Sequence, residues 1–137
     1  MVENVTGKIL VADNDEDVLL ALERILEEKG YATTVAISSA EACKLLSESN
    51  FDLLVLDDYL SDGDSVQTLT ECRSAGIRLL VVVTYHRFPS FNEEARLREL
   101  GVRALVNKRA HSELIGIVDH LLKPRGPGPR FAFESTT

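Results

Sequence analysis

The sequence is poor in several things, and each shortage narrows what the chain can be. It holds two cysteines among 137 residues, Cys43 and Cys72. They lie far apart in the chain, in different helix-like segments. They read as small core or surface residues of a reducing compartment, not as a redox or zinc pair. No apolar run approaches ~18 residues, so no membrane span is expected. The first residues, MVENVTGK, lack the apolar core and small-residue cleavage pattern of a secretory leader. Positive charge is also short: 15 Lys and Arg against 22 Asp and Glu give a net charge of −7. DNA affinity rests largely on Lys and Arg neutralising phosphates, so direct nucleic-acid binding by this chain is not expected. The expected compartment is the cytoplasm.

What remains is enough for one globular domain. The hydrophobic fraction of 45% supplies a core without disulfides or a structural metal. Short apolar runs alternate with amphipathic stretches. Lys8 to Ala12, Phe51 to Leu56, Ile77 to Val83 and Val102 to Val106 are nearly continuous apolar runs. Runs of this kind predict strands buried on both faces, as in a parallel sheet. Tyr31 to Ala36 is weaker, with Tyr31, Thr33 and Val35 on one face, and suits an edge strand.

Helices are predicted between these runs. Val18, Leu22 and Ile25, with Leu19 and Leu26, form a stripe that Gly30 ends. Ser38 and Glu41 form a capping box for a second helix with Ala42, Leu45 and Leu46 inside. Asp62 and Asp64 can cap a third, carrying Val66 and Leu69. Ser90 and Glu93, just after Pro89, open a fourth that reaches Leu100 and Gly101. Ser112 to Leu122 makes a fifth. Five strands alternating with five helices imply a doubly wound α/β fold with helices on both faces of a parallel sheet. With the weak second strand at an edge, the expected order is the flavodoxin-like 2-1-3-4-5. The globular unit is expected over residues 1–123. Residues 124–137, opening PRGPGPR, read as a Pro/Gly-rich tail or linker that Phe131 or Phe133 can pin to a surface.

The polar residues gather at the strand ends. Asp13, Asn14 and Asp15 follow the first strand, Asp57 and Asp58 the third, Thr84 the fourth and Lys108 the fifth. Ligands of such folds bind at the carboxyl ends of the strands, where the first and third flank the switch point. Phosphoryl transfer needs this set: a carboxylate to attack phosphorus, and a divalent cation, a Lys and donors around the phosphoryl oxygens. A flavin site is not expected, because the loop after the first strand is acidic where a phosphate cradle is needed.

The segments ILVADND, DLLVLDDYLSDGD, LLVVVT and GVRALVNK resemble, in order and spacing, the signature regions of response-regulator receiver domains of two-component signalling. The resemblance covers about Lys8 to Lys123. It implies that Asp57 is the phospho-acceptor, that Thr84 binds the phosphoryl group, and that Lys108 pairs with a phosphoryl oxygen. It implies a Mg²⁺ site from Asp13, Asn14, Asp57 and the backbone carbonyl of Tyr59. It further implies a sensor histidine kinase or phosphotransfer protein as donor, and a downstream protein partner on the face of helix 4, strand 5 and helix 5. A signalling receiver, not an enzyme, is the implied role; its chemistry is self-catalysed transfer to Asp57 and slow hydrolysis.

Several positions depart from the family's pattern. Asn14 stands where a second carboxylate is usual, weakening the expected metal site, and Asp15 is a candidate to compensate. Arg109 follows Lys108 where proline is usual, so a trans bond is expected. Leu105 replaces the aromatic switch residue, and Ser61 a frequent proline. Tyr85 follows Thr84 where a small residue is usual, and its ring is expected to narrow access to Asp57. Asp58, Asp62 and Asp64 read as turn and cap residues, and His86, His111 and His120 as scattered surface residues. These departures motivate an alternative, a pseudo-receiver acting as a phosphorylation-independent interaction module. No output domain motif follows, so the chain is expected to work by protein contact, alone or as part of a longer regulator.

Overall fold

The computed structural model describes residues 6–123. The expected tail, with Phe131 and Phe133, lies outside the described residues. The elements run β1 (Lys8–Ala12), α1 (Glu16–Glu28), β2 (Ala32–Ala36), α2 (Ser39–Glu48), β3 (Leu53–Asp57), β4 (Tyr59–Leu60), β5 (Gly63–Asp64), α3 (Ser65–Ser74), β6 (Leu80–Tyr85), α4 (Phe91–Glu99), β7 (Val102–Asn107) and α5 (His111–Leu122). The main sheet is parallel, in the order β2-β1-β3-β6-β7. Counting its five strands alone, this is the expected flavodoxin-like 2-1-3-4-5 order. The β4–β5 hairpin is additional and antiparallel. Its two-residue strands are too short to leave a period in the sequence.

The central strand β3 is buried at every position, because helices cover both sheet faces. Successive side chains of a strand point to opposite faces. Ile9 and Val11, Leu53 and Val55, Val82, Ala104 and Val106 join α1 and α5 in one core. Leu10 and Ala12, Leu54 and Leu56, Val81 and Val83, with Leu105, join α2, α3 and α4 in the other.

The helix ends follow from local chemistry. Asp15 caps α1, its Oδ1 accepting from Asp17 N at 2.9 Å and Val18 N at 3.4 Å. Asp64 with Gln67 and Ser90 with Glu93 form complete capping boxes on α3 and α4. Ser38 caps α2, but Glu41 reaches one residue further back, to Ile37 N at 2.8 Å. Asp62 does not cap α3 as expected. The hairpin turn carries it away from α3, and its carboxylate accepts from Ser39 N at 2.8 Å and Ala40 N at 3.0 Å at the start of α2. Gly101 has φ +93°, a backbone that side-chain-bearing residues avoid, and it turns the chain from α4 into β7.

The cysteines are free, Cys72 buried and Cys43 half-buried, in two different helices as expected, but they are neighbours in space. Although 29 positions apart, their sulfurs lie 3.9 Å from each other across the α2–α3 seam. Distance along the chain says nothing about parallel helices that pack side by side on one sheet face.

Candidate functional site

The same alternation that builds the α1/α5 core carries past it to the site. Along β1 the inward series Ile9, Val11 continues to Asp13. Along β3 the series Leu53, Val55 continues to Asp57, along β6 Val82 continues to Thr84, and along β7 Ala104, Val106 continues to Lys108. Four strands thus end in a polar residue on the same side of the sheet. Asp57 and Thr84 are direct register partners on β3 and β6.

Lys108 joins the carboxylates. Its Nζ lies 3.1 Å from Asp57 Oδ2 and 3.1 Å from Asp13 Oδ2, and it also donates to Asp13 Oδ1 at 3.3 Å. Asp13 and Asp57 are only 2% and 4% exposed, and Thr84 is buried beside them. Asp13 is further held by Asp15 N, which donates to its Oδ1 at 2.8 Å. Among the described residues the other Asp57 oxygen, Oδ1, has only a long 3.5 Å contact from Tyr59 N, which leaves it a lone pair to use.

Burial, and then the charge of Asp13, raise the Asp57 carboxyl from its ordinary 3.8 to about 6, against the opposing effects of Lys108 and the Tyr59 amide. For Lys108, burial lowers the ammonium, but its hydrogen bonds to Asp57 and Asp13 and their charges outweigh burial and hold it above the usual lysine value. Asp58, next in the chain, points to the other face. Ser65 Oγ donates to its Oδ1 at 2.5 Å, and burial raises its carboxyl above the ordinary value.

A pocket of about 390 Å³ opens over Asp57, lined by Asn14, Asp57, Asp58, Tyr59, His86, Arg87 and Lys108. Asn14 and Tyr59 are therefore at the mouth, with Asp13 beneath. Asp15 does not compensate for Asn14, because its carboxylate is spent on the α1 cap. Tyr85 does not narrow access to Asp57. Alternation along β6 turns it to the face opposite Thr84, where its ring packs edge-on against Phe88 at 5.2 Å. Nor are His86 and His111 scattered: both line a second cavity, with Asp15, Val18, Lys108 and Arg109, beside the first. His86 sits two residues after Thr84, and that spacing was the only available sign that it belongs here. Among the described residues no peptide bond is cis, so Lys108–Arg109 is trans as expected. Leu105 is buried in the α2–α4 core, opposite Val83.

The oxygen donors suit a hard divalent cation. Two carboxylates, an amide and a backbone carbonyl from Asp13, Asp57, Asn14 and Tyr59 match the all-oxygen preference of Mg²⁺, which keeps several waters. The Asp13 and Asp57 oxygens already converge on one cationic centre, the Lys108 ammonium. Both carboxylates thus face one point at the rim of the sheet.

Sequence and fold both match known proteins. The family model for the response regulator receiver domain matches residues 9–119. The transcriptional regulatory protein PrrA of Mycobacterium tuberculosis is 32% identical over 130 residues, covering 95% of this chain and 56% of that protein. The chain thus spans about half the length of this curated relative. Among solved structures, the receiver domain of Francisella response regulator 1452 superposes with a TM-score of 0.77 at 30% identity, covering 85% of this chain and 97% of that one. A CheY-like receiver domain protein from Methanospirillum hungatei shares the fold, with a TM-score of 0.76 at 21% identity over 86% of this chain and 94% of the other. Strand order, the convergence of Asp13, Asp57, Thr84 and Lys108, and a family match over most of the chain agree: this protein belongs to the response regulator receiver domain family.

Proposed function

We propose that the chain accepts a phosphoryl group on Asp57 from the phosphohistidine of a sensor kinase or phosphotransfer protein, and signals through protein contacts. The observation that carries this reading is the buried Asp57 carboxylate, with one oxygen held by Lys108 at 3.1 Å and the other nearly unengaged beneath an open pocket. The unengaged oxygen attacks phosphorus, the P–N bond to the donor imidazole breaks, and an aspartyl phosphate forms. Lys108 neutralises a phosphoryl oxygen, and the Thr84 hydroxyl donates to another. Asp13, Asn14, Asp57 and the Tyr59 carbonyl would hold Mg²⁺, which supplies further positive charge to the phosphoryl oxygens when bound. With an amide at Asn14, this site holds the cation less tightly than one with three carboxylates.

This makes the chain a signalling receiver whose phosphoryl chemistry is on its own Asp57. The output surface assigned to it is the face of α4, β7 and α5. On α4, Phe91 is 84% exposed and, with Ala95, lines a shallow groove suited to a protein partner. With Leu105 fixed in the core, the signal reaches that face without an aromatic ring swinging at position 105. The competing reading, a phosphorylation-independent module, draws on the negative charge that Asn14 lacks and Asp15 does not replace.

Acetyl phosphate with Mg²⁺ separates the two readings. Intact-mass measurement is expected to show one added phosphoryl group on the wild type and none on Asp57→Asn. Asn14→Asp is expected to reach half-modification at a lower Mg²⁺ concentration. An unmodified wild type, together with partner binding unchanged by Asp57→Ala, would leave the pseudo-receiver.

A further inference from the structure

The α2–α3 seam carries a feature that phosphoryl chemistry does not use. Ser39 of α2 faces Thr68 of α3, their hydroxyls 2.7 Å apart and buried. Four residues on in each helix, Cys43 faces Cys72, with sulfurs 3.9 Å apart. Residues four apart lie on one face of a helix, and both helices pack into the same core on one face of the main sheet. The cysteines are therefore the second rung of a regular ladder, not a chance surface encounter. Across the seam the small side chains of Ser39 and Cys43 meet those of Thr68 and Cys72. A disulfide needs its Cα atoms roughly 4.4–6.8 Å apart. The Asp62 carboxylate, bonded to Ser39 N and Ala40 N, fixes the near end of α2.

We propose that Cys43 and Cys72 are a modification site: a peroxide-class oxidant converts them into an intramolecular disulfide that staples α2 to α3.

Cys43 is only half-buried and meets the oxidant, whereas Cys72 is 1% exposed and shielded from it. The Cys43 thiolate attacks one peroxide oxygen; the O–O bond breaks and the departing hydroxide takes a proton to become water. The Cys72 sulfur then attacks the resulting sulfenic sulfur. An S–S bond forms, the S–O bond breaks, and the oxygen leaves as water with the Cys72 proton. The two sulfurs together lose two electrons, and the peroxide gains them. Burial pushes the Cys72 thiol up to about 12, and the charge and hydrogen bond of Cys43 add to this. The charge contribution of Cys43 is lost once that sulfur is a neutral sulfenic acid. The fixed proximity of the sulfurs offsets the remaining scarcity of thiolate, since oriented groups react as though at very high concentration.

The full chain is treated with hydrogen peroxide under native conditions, alkylated, and only then unfolded and digested without reductant. The expected result is a Cys43–Cys72 linked peptide from monomeric protein, the loss of both alkylatable thiols, and reversal by dithiothreitol. The melting temperature is expected to rise on the order of 10 °C, because the bond closes a long loop in the unfolded chain. In Cys72→Ala the intermediate has no resolving thiol, so dimedone is expected to label Cys43 there and not in the wild type. Two alkylatable thiols surviving the treatment, linkage only between chains, or equal dimedone labelling of wild type and Cys72→Ala would each overturn the proposal.

Discussion

Asp57 is a carboxylate held where water barely reaches it, next to a second carboxylate and one shared ammonium. Its carboxyl rises from 3.8 to about 6. Between about pH 4 and 6 the folded chain keeps a proton that the unfolded chain has released. This group therefore favours the fold below about pH 4, and that advantage is lost as pH rises through about 6. A rise of this size corresponds to roughly 3 kcal/mol. Asp57→Asn removes the penalty at neutral pH but takes away one of the two partners of Lys108. The variant is expected to gain roughly 1–2 kcal/mol on the wild type between about pH 4 and 7.5 in metal-free buffer. Urea melts at the two pH values check this; parallel pH dependence in both proteins would contradict the stated environment of Asp57. At this scale the sequence was informative about which residues line the rim. It was less so about their direction. Tyr85 is next to Thr84 in sequence, but strict alternation along β6 turns the two side chains to opposite faces.

Helix α4 is held by little packing and by its cap. Leu97 is its one buried residue, and its first turn is closed by the box in which Ser90 Oγ accepts from Glu93 N at 3.2 Å and Glu93 accepts from Ser90 N at 2.9 Å. Ser90→Ala is expected to cost about 1 kcal/mol of stability in denaturant titration, with faster amide exchange over the first turn of α4. An unchanged midpoint would mean that tertiary contacts hold the helix. The strands and helices were legible because burial on two faces and burial on one leave different periods. The β4–β5 hairpin left none, and so the destination of Asp62 was missed: the turn hands its carboxylate to α2. The α2–α3 seam was equally hidden, since it depends on which helices share a face and at what height.

Across the molecule, one sheet separates two cores, and the site lies where the strands of the α1/α5 face run out of apolar residues. The fold was legible as a whole because the order of apolar runs and the weak second strand leave few topologies. The site followed from the fold, since parallel strands deliver their carboxyl ends to one rim. What the sequence left open was the division of labour between two adjacent acids. Asp57 and Asp58 are both buried and both raised, but Asp57 faces Lys108 while Asp58 is bonded to Ser65 on the other face. Substitution alone does not separate them, because either change disturbs the shared turn. The direct measurement is chemical. Wild-type protein phosphorylated with acetyl phosphate and Mg²⁺ is reduced with borohydride, which converts an aspartyl phosphate to homoserine, and the peptides are sequenced by mass spectrometry. Homoserine at position 57 is the expected result; homoserine at position 58, or at neither, would contradict the assignment of Asp57 as the acceptor.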